Sequence, residues 1–491
     1  MKLDEVIRAI GADVQGREPA FADTEVNKFV VDSRSATAGD VFFALSQPDY
    51  RNNGFNGDFD DATAFAAAAL RSGAAACVLR RDRFEEHRHD LEPFAGRLLF
   101  VPDAIKALQD LASAVYRKWN KPVIAVTGSA GKTTAKELIA SVIGASGRRV
   151  LKNIKNYNNG IGQPLTVLEL AADSGYDIAV LEMGMSTPMN EIARLCRITP
   201  PDISVVLNVL PVHVEHLGSI ENVAKAKAEI VEGMKEGGTA VLNADDDRVA
   251  AMQSLSRGGT LTFGIARPAD VTASSIEVQG FGNTSFWLRT PSGEADVRFP
   301  LNGRHNIMNA LAAAAAAHAL GMAVEEIAQA LGRVESPGQR GEVIHFPGGV
   351  TVINDSYNSN PTALLSMVET MIEGRGGHQR LIVVAGEMLE LGNETAAIHA
   401  ETGRSIAAKG IDALIGVRGS AADMVNAARA EGLSDGVFAV DSDAAGDVLV
   451  KMMRPGDLVL IKGSRGVRTE KVLEKINQHF RPEADTVVRS A

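Results

Sequence analysis

The stretch VIAVTGSAGKTTAKELIA, Val123 to Ala140, passes from an apolar, β-branched run through a Gly-Ser turn into a helix opened by Lys132, Thr133 and Thr134. A strand, a glycine turn and a helix in that order bind nucleotide phosphate. Backbone N–H groups of Thr127, Gly128, Ser129, Ala130 and Gly131 can close around an anion, and the helix N-terminus adds partial positive charge. Lys132 can reach the terminal phosphates of ATP, the Thr133 hydroxyl can ligate Mg²⁺, and Thr134 continues the turn. A full P-loop places glycine five residues before Gly131, where this chain has Val126, so the motif is the shortened TGxxGKTT form. The competing reading is a plain strand-turn-helix with a surface lysine.

The rest of the chain sets the bounds. Its 491 residues, 45% of them hydrophobic, suffice for about three domains that each bury a core. A net charge of -11 leaves no broad basic stripe, so no nucleic-acid partner is expected. Cys77 and Cys196 stand far apart, outside any CxxC or Cys/His spacing, which points to neither disulfides nor zinc. The opening MKLDEVIRAIGADVQ is acidic where a signal peptide is basic, and no run of eighteen apolar residues follows. A cytoplasmic location without membrane insertion is therefore expected. The alanine-rich stretch Leu311 to Leu320 reads as a tightly packed internal helix.

Strands and helices alternate along the chain, which predicts an α/β fold of mostly parallel sheets with helices on both faces. KFVVDSR, DVFFALS, AACVLR and LLFV predict a small N-terminal α/β domain over residues 1–101. A helix from Ala104 to Trp119 leads into the phosphate-binding strand. YDIAVLEMG, DISVVLNVL and GTAVLNADD continue a central, doubly wound domain over 102–337. The punctuation SPGQRG, Ser336 to Gly341, suits a hinge. LIVVAGE, ALIGVRG, GVFAV and DLVLIKGSRG then predict a third, Rossmann-like domain over 338–491.

Polar residues at the ends of these strands carry the next clues. Glu182 closes one strand, and Asn208, His213 and Glu215 follow the next, in the crevice where parallel sheets bind ligands. Glu182 suits a Mg²⁺ site, and a second, softer metal position could accept His213. A solvated carboxylate and an ordinary loop histidine are the alternatives.

In the helix after Ser219, Ile220, Val223, Ile230, Val231 and Met234 form an apolar face with Lys227 in its middle, while Lys225 points away. Burial lowers an amine pKa and frees the neutral nitrogen for chemistry such as carbamate formation with CO₂. A snorkelling lysine fits the spacing equally well. Asn306 and Asn309, three apart, could present amides to an adenine edge, or simply cap. Asp355 follows the strand GVTVIN and could accept hydrogen bonds from ribose. Tyr357, Asn358, Asn360 and Pro361 turn into a helix.

Taken together, DSR with GDVFFAL, TGSAGKTTAKE, NYNNGIGQPLT, LEMGM, NVLPVHVEHLGS with AKAEI, NGRHNIMNALAA, NDSYNSNP, GEMLELG and KGSRGVRTE resemble the Mur ligases of peptidoglycan synthesis, within them the type that adds D-alanyl-D-alanine. The resemblance spans nearly the whole chain. It implies that Lys132 and Thr133 hold ATP phosphates and a first Mg²⁺, and that Glu182 and His213 serve two metal sites. It further implies a carbamylated Lys227, adenine contacts from Asn306 and Asn309, a ribose contact from Asp355, and Arg340 approaching the nucleotide as the third domain closes. Ser33 and Arg34 are implied at the uridine site of UDP-N-acetylmuramoyl-tripeptide, Asn158 and Asn159 along that substrate, and Tyr357 and Asn358 beside the incoming dipeptide. A cytoplasmic, monomeric ATP-dependent ligase acting through an acyl phosphate is the implied activity. Two positions depart from the family pattern: the segment SQPDYRNNGFNGDFDDATAF lacks its Gly-His, and Ala130 replaces a common Asn. Another Mur or folylpolyglutamate-type ligase, a P-loop kinase or NTPase, and a non-catalytic nucleotide-binding scaffold are the alternatives.

Overall fold

The computed structural model describes residues 1–14, 19–154, 156–185, 190–211, 217–335 and 338–483. Three sheets organise the chain. The first has five strands, in the order Asp13–Val14, Leu98–Val101, Ala76–Arg80, Val41–Phe43 and Phe29–Val30, parallel except for the first. The helix Ala104–Trp119, N-capped by Asp103, packs its Ile105, Leu108, Leu111 and Val115 into one core with Val41, Phe43 and Leu99 of this sheet and Val123 and Ala125 of the next. The N-terminal and central units thus share a continuous apolar core, each large side chain contributing about 1.5–3 kcal/mol.

The second sheet has nine strands. Val123–Thr127 is the third strand from one edge, parallel to Ile203–Val206 on one side and to Ile178–Glu182 on the other. All three are buried along their length, as strands covered on both faces must be, which is why they read as largely apolar runs, with Thr127 and Glu182 only at their carboxyl ends and Ser204 the one internal polar residue. Their carboxyl ends converge, with Glu182 in register with Val126 and Val206 with Thr127. The strands Val271–Val278, Thr284–Thr290 and Gly293–Phe299 extend the sheet, the last two antiparallel. The sequence did not announce this extension. Thr284–Thr290 alternates buried Phe286 and Leu288 with exposed Trp287 and Arg289, so it carries half the apolar signal of a strand buried on both faces.

The helix Arg304–Ala319 confirms the reading of the alanine-rich stretch. Ala310, Ala312, Ala313, Ala314, Ala315, Ala316 and Ala317 are all 0% exposed. Their small side chains let this helix lie close against Lys132–Gly144, the helix that opens with Lys132.

The third sheet has six strands in the order Glu342–Phe346, Val350–Asp355, Asp457–Lys462, Arg380–Gly386, Ala413–Val417 and Asp435–Ala439, parallel except for the first. The connection entering it holds Gln339 at φ 63° and Gly341 at φ 77°, two left-handed residues flanking Arg340. Such a backbone turns the chain sharply and aims Arg340 back at the central unit. Ser336 and Pro337 of the expected hinge lie outside the described residues.

Candidate functional site

The phosphate turn is built as its sequence requires. Gly131 N-caps the helix Lys132–Gly144 at φ 81°, and a Cβ there would stand 2.7 Å from Asn309 Oδ1. Both observations restrict the position to glycine. Asn208 clips the turn: its Oδ1 accepts from Ala130 N at 2.8 Å, its Nδ2 donates to Ala130 O at 3.1 Å, and its carbonyl accepts from Ser129 N at 3.0 Å. Ser129 Oγ meanwhile accepts from Leu210 N at 2.9 Å. Ala130 therefore needs no side chain to hold its place. Thr127 and Gly128 lie beneath the turn, where the Thr127 hydroxyl donates to Met183 O at 2.9 Å and Gly128 O accepts from Lys132 Nζ at 2.8 Å.

Glu182 faces the first helical turn. Its two carboxylate oxygens accept from Thr133 Oγ1 and Asn158 Nδ2, each at 2.7 Å, and the residue is 3% exposed. Hydroxyl and carboxylate oxygens side by side at a phosphate turn are the donor set that Mg²⁺ takes. Among the described residues no group of three or more His, Cys, Asp or Glu stands together as a metal site. His213, the expected second ligand, and Glu215 lie outside the described residues.

Lys132 is desolvated, which lowers its amine pKa; Glu182 opposes the shift and Arg340 adds to it. Lys227 is 2% exposed on the helix Ile220–Glu232, N-capped by Ser219, while Lys225 is exposed. The snorkelling alternative is thereby answered, since the whole side chain is covered. Burial, then the nearby Lys132 charge, drives the Lys227 amine well below its ordinary range. Lys227 lies close enough to Lys132 to feel its charge but does not line the cavity.

A cavity of about 430 Å³ opens between the central and C-terminal units. Ser129, Ala130, Gly131, Lys132, Thr133, Thr134, Asn158, Glu182, Asn306 and Asn309 line it from one side, and Arg340, Asp355, Tyr357 and Asn358 from the other. These fourteen residues, with Asn208 and Asn360, were all singled out from sequence and are thus brought together around one space. Asn309 reaches the phosphate turn through Gly131, while Asn306 commits its Nδ2 to Asn302 O at 2.8 Å and keeps Oδ1 toward Asn309 at 3.5 Å. Arg340 stacks its guanidinium 4.0 Å from the Tyr357 ring centroid.

Besides Lys227 and the underlying Thr127 and Gly128, the expected site residues Ser33, Arg34 and Asn159 stand outside the cavity. Ser33 and Arg34 occupy a short turn of 3₁₀ helix after the edge strand Phe29–Val30, outside the cavity, with Arg34 folded bidentately onto Asp32. Asn159 is spent on local structure, its Oδ1 accepting from Ile161 N and Gly162 N at 3.1 and 2.9 Å.

The cavity also contains residues that spacing did not reveal. Lys462 Nζ, at the end of Asp457–Lys462, bonds Asp355 Oδ2 at 2.5 Å and Asn358 O at 2.9 Å. Parallel register puts Asp355 beside Lys462, a pairing that no single-sequence pattern contains. His305 Nδ1 meets Ser366 Oγ at 3.3 Å across the two units. Burial lowers the His305 pKa, Asp355 opposes and Lys462 adds. Phe263 lines the same space from a strand too polar to stand out.

A glycine turn capping a buried-strand helix, a carboxylate beside its threonine, and a cavity closed by a second nucleotide-fold unit define an enzyme of the P-loop, nucleotide-using class. Comparison with known proteins narrows this. Residues 126–317 match the Mur ligase middle domain and 339–465 the Mur ligase glutamate ligase domain. The UDP-N-acetylmuramoyl-tripeptide–D-alanyl-D-alanine ligase of Escherichia coli K12 is 33% identical over 97% of this chain and 98% of its own, and that of Bacillus subtilis 168 is 32% identical over 96% and 98%. A MurF crystal structure from Acinetobacter baumannii superposes with a TM-score of 0.84 at 27% identity, covering 97% of this chain and 98% of that one. MurF ligase from Thermotoga maritima in complex with ADP gives 0.78 at 27% identity, covering 94% and 98%. The chain belongs to the Mur ligase family.

Proposed function

We propose that this chain is an ADP-forming, ATP-dependent ligase that joins D-alanyl-D-alanine to UDP-N-acetylmuramoyl-tripeptide in peptidoglycan precursor synthesis. One observation carries the reading: the phosphate turn and the Arg340 and Asp355–Asn360 loops of the C-terminal unit line a single cavity in a chain that matches such ligases over nearly its full length. A kinase or switch NTPase has no need of the second unit's loops at the terminal phosphate.

The chemistry follows from what these residues do. A carboxylate is a poor electrophile, so the γ-phosphoryl group is first passed to the terminal carboxylate of the tripeptide, and the dipeptide amine then displaces phosphate. Lys132 orients the terminal phosphates and offsets charge on the transferring group. Arg340 and the Tyr357–Asn358 turn close the cavity from the other side and keep water from the acyl phosphate. Asp355 would receive the ribose, Asn306 and Asn309 the base and phosphate turn. Thr133 and Glu182, with His213 for a second site, would hold Mg²⁺, which supplies charge neutralisation at the phosphates. Ser33 and Arg34 would contact the uridine nucleotide at the N-terminal unit, and Asn158 the peptide arm, with Asn159 shaping the loop.

Lys227 is proposed to be carbamylated: its neutral amine adds to CO₂, an N–C bond forms and one proton leaves. The resulting anion would lie beside the Lys132 charge and help to place it. Domain limits of 1–101, 102–337 and 338–491, a monomeric state and a cytoplasmic setting complete the reading. No helix among the described residues is long and apolar enough to cross a membrane.

Phosphate release from ATP separates the alternatives. Full-rate release is expected only with both the UDP-muramoyl tripeptide and D-alanyl-D-alanine present. Release at the same rate with ATP alone would leave a NTPase, and release supported by glutamate in place of the dipeptide would leave a folylpolyglutamate-type ligase.

A further inference from the structure

The helix that opens with Lys132 carries a second lysine one turn on. Lys136 is 0% exposed and is among the largest fully buried side chains of the molecule. Burying an ammonium is costly unless it is paired and hydrogen-bonded. Here Nζ donates to Asn153 O at 2.5 Å and pairs with Glu137 Oε1 at 2.9 Å, while Lys152 engages the other Glu137 oxygen. Lys136 and Lys152, in that order, hold the Glu137 carboxyl below its usual range against the opposing effect of burial.

What Lys136 grips is itself unusual. The short strand Val150–Lys152 pairs with Ile178–Glu182 only as far as Lys152 opposite Val180. Beyond it the Asn153 side chain takes over the ladder: Oδ1 accepts from Glu182 N at 3.0 Å and Nδ2 donates to Glu182 O at 2.9 Å. The same Nδ2 reaches Tyr157 O at 2.9 Å, in the turn that delivers Asn158 to the Glu182 carboxylate. Asn153 itself is 1% exposed. An unbroken series of bonds thus runs from the phosphate-turn helix, through Lys136 and Asn153, to both backbone groups of Glu182, and returns to the same helix through Thr133 Oγ1. A bridge made only for stability would not need a buried cation; an apolar side chain of the same length fills the space at lower cost.

We infer that Lys136 is a positioning residue: through Asn153 it fixes the strand end that carries Glu182, and so sets the affinity of the phosphate site for its divalent cation. The inference rests on the proposed metal role of Glu182. Groups that orient a metal ligand change metal affinity about 10- to 100-fold when removed.

The test is a Mg²⁺ titration of dipeptide-dependent phosphate release by the full-length protein and its Lys136→Met, Asn153→Ala and Glu182→Gln variants, with ATP binding in EDTA measured alongside. In Lys136→Met and Asn153→Ala the Mg²⁺ concentration for half-maximal rate is expected to rise about tenfold or more, with EDTA-state ATP affinity unchanged. The double variant is expected to rise no further than the worse single one, since both interrupt one series of bonds. ATP binding in EDTA also certifies folding, and Asn153→Ala carries the test if Lys136→Met does not fold. A Mg²⁺ requirement unmoved in both, or a fall in kcat alone, overturns the inference when Glu182→Gln raises the requirement. If Glu182→Gln leaves it unmoved too, the metal reading of Glu182 is what has failed.

Discussion

Lys227 is buried with Lys132 as its charged neighbour, and its amine pKa is pulled well below the ordinary 10.5. Between that lowered value and 10.5 the unfolded chain binds the extra proton, so stability rises with pH across this window. The cost is full below the folded-state value and gone above the unfolded one. Lys227→Met removes it: in CO₂-free buffer this variant is expected to unfold at higher urea than the parent at pH 7, with the gap closing toward pH 10. A parent as stable as the variant at pH 7 would contradict the depressed amine. Activity should move the other way, with Lys227→Ala losing about 100-fold or more in kcat and recovering partly in added formate or acetate. At this scale the sequence was legible where periodicity spoke. Lys227 falls in an apolar face and was visible; Lys136, one turn after Lys132, looks like any solvated helical lysine, because its partners Asn153 and Glu137 come from a strand end and a neighbouring carboxylate that spacing cannot place.

The strand, turn and helix from Val123 to Gly144 form the element on which the site depends. Gly131→Ala adds a methyl 2.7 Å from Asn309 Oδ1 at φ 81°, where an L side chain is strained by about 1–3 kcal/mol. An approximately tenfold or greater loss of ATP affinity is expected by calorimetry, with the melting temperature lowered; parental affinity would show that the turn does not hold phosphate. Elements buried on both faces, such as Ile178–Glu182 and Arg380–Gly386, are readable because four or more consecutive positions are apolar, with Glu182 and Arg380 standing only at the strand ends. The antiparallel pair Thr284–Thr290 and Gly293–Phe299 is not, since exposed Trp287, Arg289 and Glu294 alternate with its core residues. Helix Leu3–Ile10 is equally faint in the sequence, since only Leu3, Val6 and Ile7 are buried in so short an element.

Across the whole molecule, the cavity exists because two units face each other: Glu182 and Asp355 end strands of the two sheets, Asn306 and Asn309 come from the helix Arg304–Ala319, and Arg340 comes from the connection entering the third sheet. Their roles could be guessed from motifs, but the pairing of Asp355 with Lys462 and of His305 with Ser366 depends on register and on the seating of one unit against the other. Arg340 stacks on Tyr357 within the C-terminal unit and reaches the central unit through its field at Lys132. Arg340→Ala is expected to raise the KM for ATP about tenfold and lower kcat in dipeptide ligation, by steady-state kinetics. A variant changed in neither would place Arg340 outside the nucleotide's reach.

The central claim is that the space beside Gly131 activates a carboxylate with ATP before an amine captures it. Isotope transfer measures this directly: UDP-muramoyl tripeptide labelled with ¹⁸O in its terminal carboxylate is turned over with ATP and D-alanyl-D-alanine, and the released inorganic phosphate is analysed by mass. An acyl phosphate delivers one labelled oxygen to each phosphate. Phosphate free of label, with amide product formed, would contradict the account.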